Sequence, residues 1–218
     1  ASDVDRYYEL KQMTKEFFSL LSEHTTSKID LAMISHDTLI HKDNGKCVYL
    51  ARDIEIKEAY SILKRENAWY KNNERRENFM WRWSKEQGYN IAFVDDIIGE
   101  YANRFKDKDH FILIQTSEHK YQGLFKLDRY VSWQELTAIQ KALQGFYHGD
   151  PASTDAAHLK RIAGFTNTKY DTLPVVRIEH VGSNVISVDQ IMTLIRKQMR
   201  EQQEAERKLR QVKGVKGS

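Results

Sequence analysis

The chain has 218 residues, 40 % of them hydrophobic and 30 % charged, with a formal net charge of +3. That length supports one domain with a real core, or one domain with an appendage, and two prolines with ten glycines argue against a long disordered linker. A single cysteine, Cys47, excludes an internal disulfide framework and a cysteine-rich zinc site, and so mild a charge excludes bulk electrostatics as evidence for a nucleic-acid partner.

Residues 4–24 carry Tyr7, Leu10, Met13, Phe17, Leu20 and Leu21 at threes and fours, the spacing of an amphipathic helix. Residues 28–35 alternate and predict a strand. Asp43-Asn44-Gly45 predicts a hairpin turn before a second strand at 47–51. Residues 54–69 predict a helix with Ile56, Ala59, Tyr60 and Leu63 on one side. Neighbouring strands are expected at 79–83 and 90–94, a short helix at 97–105, and an antiparallel pair at 111–116 and 121–127. Ser132 is placed to N-cap a helix carrying Trp133, Leu136, Ile139, Leu143 and Phe146, and Asp150-Pro151 punctuates its end. A strand is expected at 175–180. From Val188 a helix is expected to pack through Ile191, Leu194, Ile195 and Met199. Beyond Met199 only Leu209, Val212 and Val215 interrupt a run rich in Glu, Gln, Lys and Arg. The expected organisation is an α+β body over 1–199 and a polar helical tail over 200–218 that leads toward a further, helical-bundle domain. A charged N-terminal stretch without a signal-peptide pattern, and no apolar run of spanning length, predict a cytoplasmic chain with no membrane partner.

The run Ile91-Ala92-Phe93-Val94-Asp95-Asp96 reads as a buried strand that ends by presenting Asp95 and Asp96. Neighbours on a regular strand face opposite sides, so both acids serve one site only where the strand ends or bends. The plain alternative for Asp96 is an N-cap of the helix that follows. Asp150, taken by itself, is a turn acid before Pro151. Three converging carboxylates need a cation between them, and a hard, oxygen-seeking ion such as Mg²⁺ answers that need. Further on, His158 and Arg161 share a face of a helical turn. Gly164 permits close backbone approach to a ligand. Arg161, Asn167 and Lys169 offer donors to phosphate, although a solvated polar turn would look the same. Metal with triphosphate is the chemistry of nucleotidyl transfer. The segment from Trp69-Tyr70-Lys71 through Arg75-Arg76 to Trp81-Arg82-Trp83 either stacks on single-stranded nucleic acid or builds core. Alternating aromatics favour core for part of it, which leaves Arg82 as the candidate DNA contact.

Four segments carry a resemblance: the Val94-Asp95-Asp96 strand end, Thr116-Ser117-x-x-Lys120-Tyr121-Gln122, Asp150-Pro151-Ala152-Ser153, and H-x-x-R-x-A-G-F-T-N-x-K from His158 to Lys169. In this order and spacing they resemble the RepB-type replication primases of mobilisable plasmids, members of the archaeo-eukaryotic primase superfamily. The resemblance implies a primase catalytic domain with a mixed sheet flanked by helices and an extended C-terminal helix. It implies DNA-templated nucleotidyl transfer that starts primers on single-stranded DNA. It implies two Mg²⁺ or Mn²⁺ ions on the catalytic acids Asp95, Asp96 and Asp150. It assigns nucleotide contacts to His158, Arg161, Asn167, Lys169, Ser117 and Gln122. Nucleoside triphosphates, a single-stranded DNA template and a replicative helicase are the implied partners. Many superfamily members place a nucleotide-contacting histidine near Ser117. The family register puts Gln122 there, while His119 gives a literal Ser-x-His, and the sequence leaves both open. The alternative reading is a non-catalytic module that binds single-stranded or origin DNA, against which retention of all three acids counts. A rolling-circle nicking enzyme needs a His-hydrophobic-His pair, a spacing that His36 and His41 lack.

Overall fold

The structure, a computed structural model, describes residues 6–35, 46–107 and 111–216. It is an α+β fold built on two sheets. The first runs β2-β1-β3-β7, all antiparallel, from β1 (Ile29–Ile34), β2 (Cys47–Ile54), β3 (Asn78–Trp83) and β7 (Lys160–Arg161). β3 alternates strictly: Phe79, Trp81 and Trp83 are buried, while Asn78, Met80 and Arg82 face the other way. The buried row packs beneath α1 (Tyr8–His24), with the Phe17 and Trp81 ring centroids 6.1 Å apart. Trp69, Trp81 and Trp83 are all core, so none of the three is a surface for nucleic acid.

The second sheet runs β4-β6-β5-β8, from β4 (Tyr89–Ile98), β5 (Ile112–Ser117), β6 (Lys120–Val131) and β8 (Arg177–Val181). Its ladders are antiparallel except where the short β9 (Val185–Ile186) adds to β6 in parallel. The expected mixed sheet is therefore realised as two sheets. Tyr89 to Val94 are buried without alternation, with α5 (Trp133–Tyr147) lying across the strand. α5 begins as expected, with a capping box between Ser132 and Glu135. Its Gln140 is almost fully buried; it accepts from the Phe93 amide and donates to the Thr154 carbonyl, tying β4 to the loop after α5.

Local departures from the expected elements have physical reasons. The helix predicted over 54–69 divides into a 3₁₀ turn at Ile56–Glu58, α2 (Ala59–Arg65) and α3 (Ala68–Arg75). Asn67 breaks it in the left-handed region at φ 53°, a conformation Asn tolerates better than most residues. β4 does not stop at Val94 but continues to Ile98, so α4 starts at Gly99 and runs to Asp107. Val175 forms only a bridge to Thr166, and the β8 ladder starts at Arg177. Phe146 turns outward from α5 and is 53 % exposed. α6 (Val188–Lys216) packs through Ile191, Met192 and Ile195, whereas Leu194 and Met199, expected in the core, are 57 % and 54 % exposed. Every described residue from Arg196 to Val215 is exposed. The hairpin turn expected at 43–45 lies outside the described residues.

Gly164 docks the loop after β7 onto α1. Its φ is +92°, and a Cβ there would overlap the Leu10 carbonyl and the Thr14 hydroxyl, which itself donates to the Ala163 carbonyl at 2.7 Å. Gly164→Ala should cost on the order of 2–4 kcal/mol in chemical denaturation, because both backbone strain and overlap act together. A loss within noise would show that α1 can shift without penalty.

Candidate active site

A bulge in β4 lets adjacent acids serve one cleft. Val94 pairs with Gly123 and Ile97 with Tyr121, so Asp95 and Asp96 together stand opposite Gln122 alone. Asp96 takes a left-handed backbone conformation, φ 56°, to complete the bulge. Asp95 Oδ1 accepts from Gln122 Nε2 at 2.9 Å and from the Asp96 amide at 2.8 Å. Its Oδ2 lies 3.2 Å from His158 Nε2. Burial pushes the Asp95 carboxyl up, but the hydrogen bonds from His158 and Gln122 outweigh it, and the group is held below the usual carboxylate range. Asp96 pairs with Lys120 Nζ at 3.3 Å, and attraction to Asp96 raises the Lys120 pKa.

The third acid is clipped to the backbone of the first. α5 ends at His148 in the left-handed region, and Gly149 passes so close to β4 that a Cβ would sit 2.5 Å from the Asp95 carbonyl. The Asp150 amide then donates to that carbonyl at 3.0 Å. The Asp150 side chain caps the 3₁₀ turn Pro151–Ser153, accepting from Ser153 Oγ at 2.6 Å and the Ala152 amide at 2.9 Å. These bonds lower its pKa. Asp150 is thus both the turn acid and a wall of the cleft.

The cleft, about 320 Å³, is closed by residues of both sheets. Arg161 enters from β7, opposite Met80. Among the described residues its guanidinium makes one hydrogen bond, a 3.4 Å contact from Nη1 to Asn78 Oδ1. Burial lowers its pKa while Asp95 and Tyr170 raise it. A guanidinium carries five N–H donors, so most of its capacity faces the cleft unspent. Lys169 and Ser117 line the same space. Asn167 does too, but it is buried: its amide donates to the Thr116 carbonyl at 2.9 Å and its oxygen accepts from the Lys169 amide at 3.2 Å. These two bonds brace the loop. Gln122 lines the cleft, whereas His119 sits at the β5–β6 turn, 81 % exposed and paired with Glu118. Sequence reasoning gave no role to Lys120 or Tyr170, both in the wall. The signal for Lys120 was its place two residues before Gln122, on one strand face.

Residues 48–203, well over half the chain, match the model of the RepB DNA-primase N-terminal domain. The chain belongs to the RepB DNA-primase family. The catalytic domain of primase RepB′ in complex with initiator DNA has a similar fold, with a TM-score of 0.68 at 20 % identity, over 88 % of this chain and 98 % of that one. Primase RepB′ matches with a TM-score of 0.68 at 21 % identity, over 89 % of this chain and 67 % of that one. The primase-polymerase domain of cyanophage S-2L matches with a TM-score of 0.58 at 12 % identity, over 84 % and 97 %. Mobilization protein A of Escherichia coli is 28 % identical over 104 residues, which is 46 % of this chain and 15 % of that protein. The RepB-family chain thus spans only a small part of that curated relative.

A divalent metal fits the donor chemistry of this RepB-family cleft. Asp95, Asp96 and Asp150 offer hard carboxylate oxygens to the cleft, and the Gln122 amide oxygen is buried without a hydrogen-bond partner. Among the described residues no three acid, histidine or cysteine groups converge on one point; Lys120, Ser153 and His158 each engage one of the carboxylates. Arg82 is not among the residues that line the cleft. Its Nε donates to buried Asp30 at 3.0 Å and its guanidinium lies over the Tyr49 ring. With Lys28, Arg52 and Lys85 it lines a separate polar hollow of about 490 Å³.

Proposed function

We propose that this RepB-family chain is the catalytic part of a plasmid replication primase, a template-directed nucleotidyltransferase that starts oligonucleotide primers on single-stranded DNA. The observation that carries the reading is one cleft in which three acids face an arginine with unspent donors. Its size and polarity suit a triphosphate. Mg²⁺ or Mn²⁺ held by Asp95, Asp96 and Asp150 would supply Lewis-acid activation of a 3′-hydroxyl and neutralise triphosphate charge. The protein's own part is to orient and to balance charge. His158 and Gln122 keep Asp95 ionised and fixed. Arg161, with Lys169 at the rim, holds triphosphate oxygens and stabilises the charge that develops on the departing pyrophosphate. Asn167 keeps Lys169 in place. Ser117 and Gln122 shape the nucleotide's seat.

The structural relative bound to initiator DNA supports a DNA partner, and the polar hollow around Arg82, where Lys28, Arg52 and Lys85 stand beside Asp30, Asp53 and Glu86, offers cations to template phosphates. The mobilisation protein among the relatives supports a plasmid setting. No helix among the described residues is long and apolar enough to cross a membrane. We take residues 1–199 as the catalytic body and 200–218 as a solvated helical tail outside it. Transfer onto a preformed primer end should therefore survive removal of residues 200–218.

The direct test incubates the protein with single-stranded DNA, Mg²⁺ or Mn²⁺ and labelled nucleotides, and looks for new oligonucleotides. DNA binding without product would favour the non-catalytic module. Gly149→Ala offers a test of geometry. It should lower synthesis by about tenfold or more, by pushing Asp150 away from the Asp95 backbone, and should lower melting too, because the overlap is with the β4 main chain. Unchanged synthesis by that variant would remove the Asp150 clip from the proposal.

A further inference from the structure

Lys160 is a lysine on the wrong side of its strand. β7 pairs Arg161 with Met80 and Lys160 with Trp81, so Arg161 faces the cleft and Lys160 faces the core. Its side chain is only 2 % exposed. The ammonium sits among aromatic faces, 4.8 Å from the centroid of Trp81, 5.1 Å from Phe93 and 5.7 Å from Trp83. Cation–π attraction offsets part of the lost hydration. Among the described residues it makes no ion pair, and its hydrogen bond is to the His158 carbonyl, at 3.0 Å. The charged groups that act on it from neighbouring elements are Asp155, Asp95 and Arg82.

Such a group costs stability. Burial lowers its pKa from 10.5 to about 7. Between those values the unfolded chain binds a proton that the folded chain has released, so stability rises with pH across that window. Below about pH 7 the full cost is present. A methionine of similar length would fill the same space without it.

What the ammonium holds in return lies beside Asp95. It fastens the His158 main chain directly, and it rests on Phe93, whose ring stacks on the His158 imidazole at 5.8 Å. The imidazole in turn faces Asp95 Oδ2. We propose that Lys160 is a positioning residue of the cleft, fixing His158 against Asp95 from beneath through the His158 carbonyl and the Phe93 ring. The proposal rests on the reading of His158 as part of a nucleotide site.

The test uses the whole chain as Lys160→Met, His158→Ala and the double variant. Two readouts are needed: nucleoside triphosphate affinity in the presence of Mg²⁺, and the ring-nitrogen NMR signals of His158. Lys160→Met should melt no lower than the parent at pH 6, weaken nucleotide binding by about tenfold, and move the His158 signals. In the His158→Ala background it should add no further loss, because the path to the nucleotide is already cut. An equal loss in both backgrounds would overturn the proposal, as would His158 signals that stay where they were. A parent chain that binds no nucleotide would overturn the nucleotide reading instead, and the His158 signals would then decide the positioning role alone. Lys160→Gln is read the same way if the methionine variant does not melt cooperatively.

Discussion

Asp95→Asn should abolish primer synthesis, by about a thousandfold or more, in a chain that remains folded. Asparagine keeps the shape of the group and can still accept from Gln122 and the Asp96 amide. It loses the charge that His158 faces and that a hard cation needs. Relief of repulsion among three acids would predict a gain in stability. The bonds around Asp95 predict a small loss instead, on the order of 1 kcal/mol, since the net effect of its surroundings is to favour the ionised form. The sign follows from linkage. A carboxyl whose folded pKa is depressed contributes stability above its unfolded value, near pH 4, and that contribution disappears as pH falls through the folded value. Parent and variant should therefore differ in melting at neutral pH and converge in acid. Normal product from a folded Asp95→Asn chain would remove Asp95 from the chemistry.

Arg161→Ala should weaken nucleoside triphosphate binding by about thirtyfold, near 2 kcal/mol, and leave single-stranded DNA affinity almost unchanged. The contrast is the point of the measurement. Arg161 stands on the cleft side of β7 with one long hydrogen bond to Asn78. The four cations around the outlying hollow, Lys28, Arg52, Arg82 and Lys85, are left intact. Stability should not fall much, because a sparsely bonded, buried guanidinium contributes little to folding. Calorimetric titration with a non-hydrolysable nucleotide, set beside DNA binding at several salt concentrations, checks both halves. Collapse of DNA affinity with nucleotide affinity intact would make the His158–Lys169 run a DNA clamp.

Much of this arrangement could be read from the sequence where a period was long enough. β3 alternates through six residues, and α5 carries its capping box in plain order, so both were legible. The four motifs gave most members of the cleft, and the structure gathers nine of ten site candidates around it, leaving Arg82 apart. What could not be read depends on pairing. Gln122 and His119 are three residues apart, and only the β6 register shows which faces Asp95. Asn67 is one polar residue in a helical pattern, and nothing in its neighbours announces the left-handed break. Lys160 sits in a strand of two residues, too short for alternation to reveal a face. The apolar spacing of α6 continues through Leu194 and Met199, but among the described residues both side chains stay exposed.

The bulge at Asp95 and Asp96 makes the acidic wall of the cleft a matter of counting. Strand positions carry an odd or even parity, and the extra residue reverses it once, between Val94 and Ile97. Everything downstream inherits that reversal: Ile97 returns to the interior, Ile98 turns out, and α4 leaves the sheet in a fixed direction. A point substitution at Asp96 changes one side chain and keeps the parity. Loss of a single codon there would erase the bulge: Ile97 would still stand opposite Tyr121 and Ile98 opposite Lys120, and only the second acid would go. What the second residue between Val94 and Ile97 adds, at φ 56°, is therefore one more carboxylate on the Gln122 face, carried as a spare position that the pairing beyond it does not need.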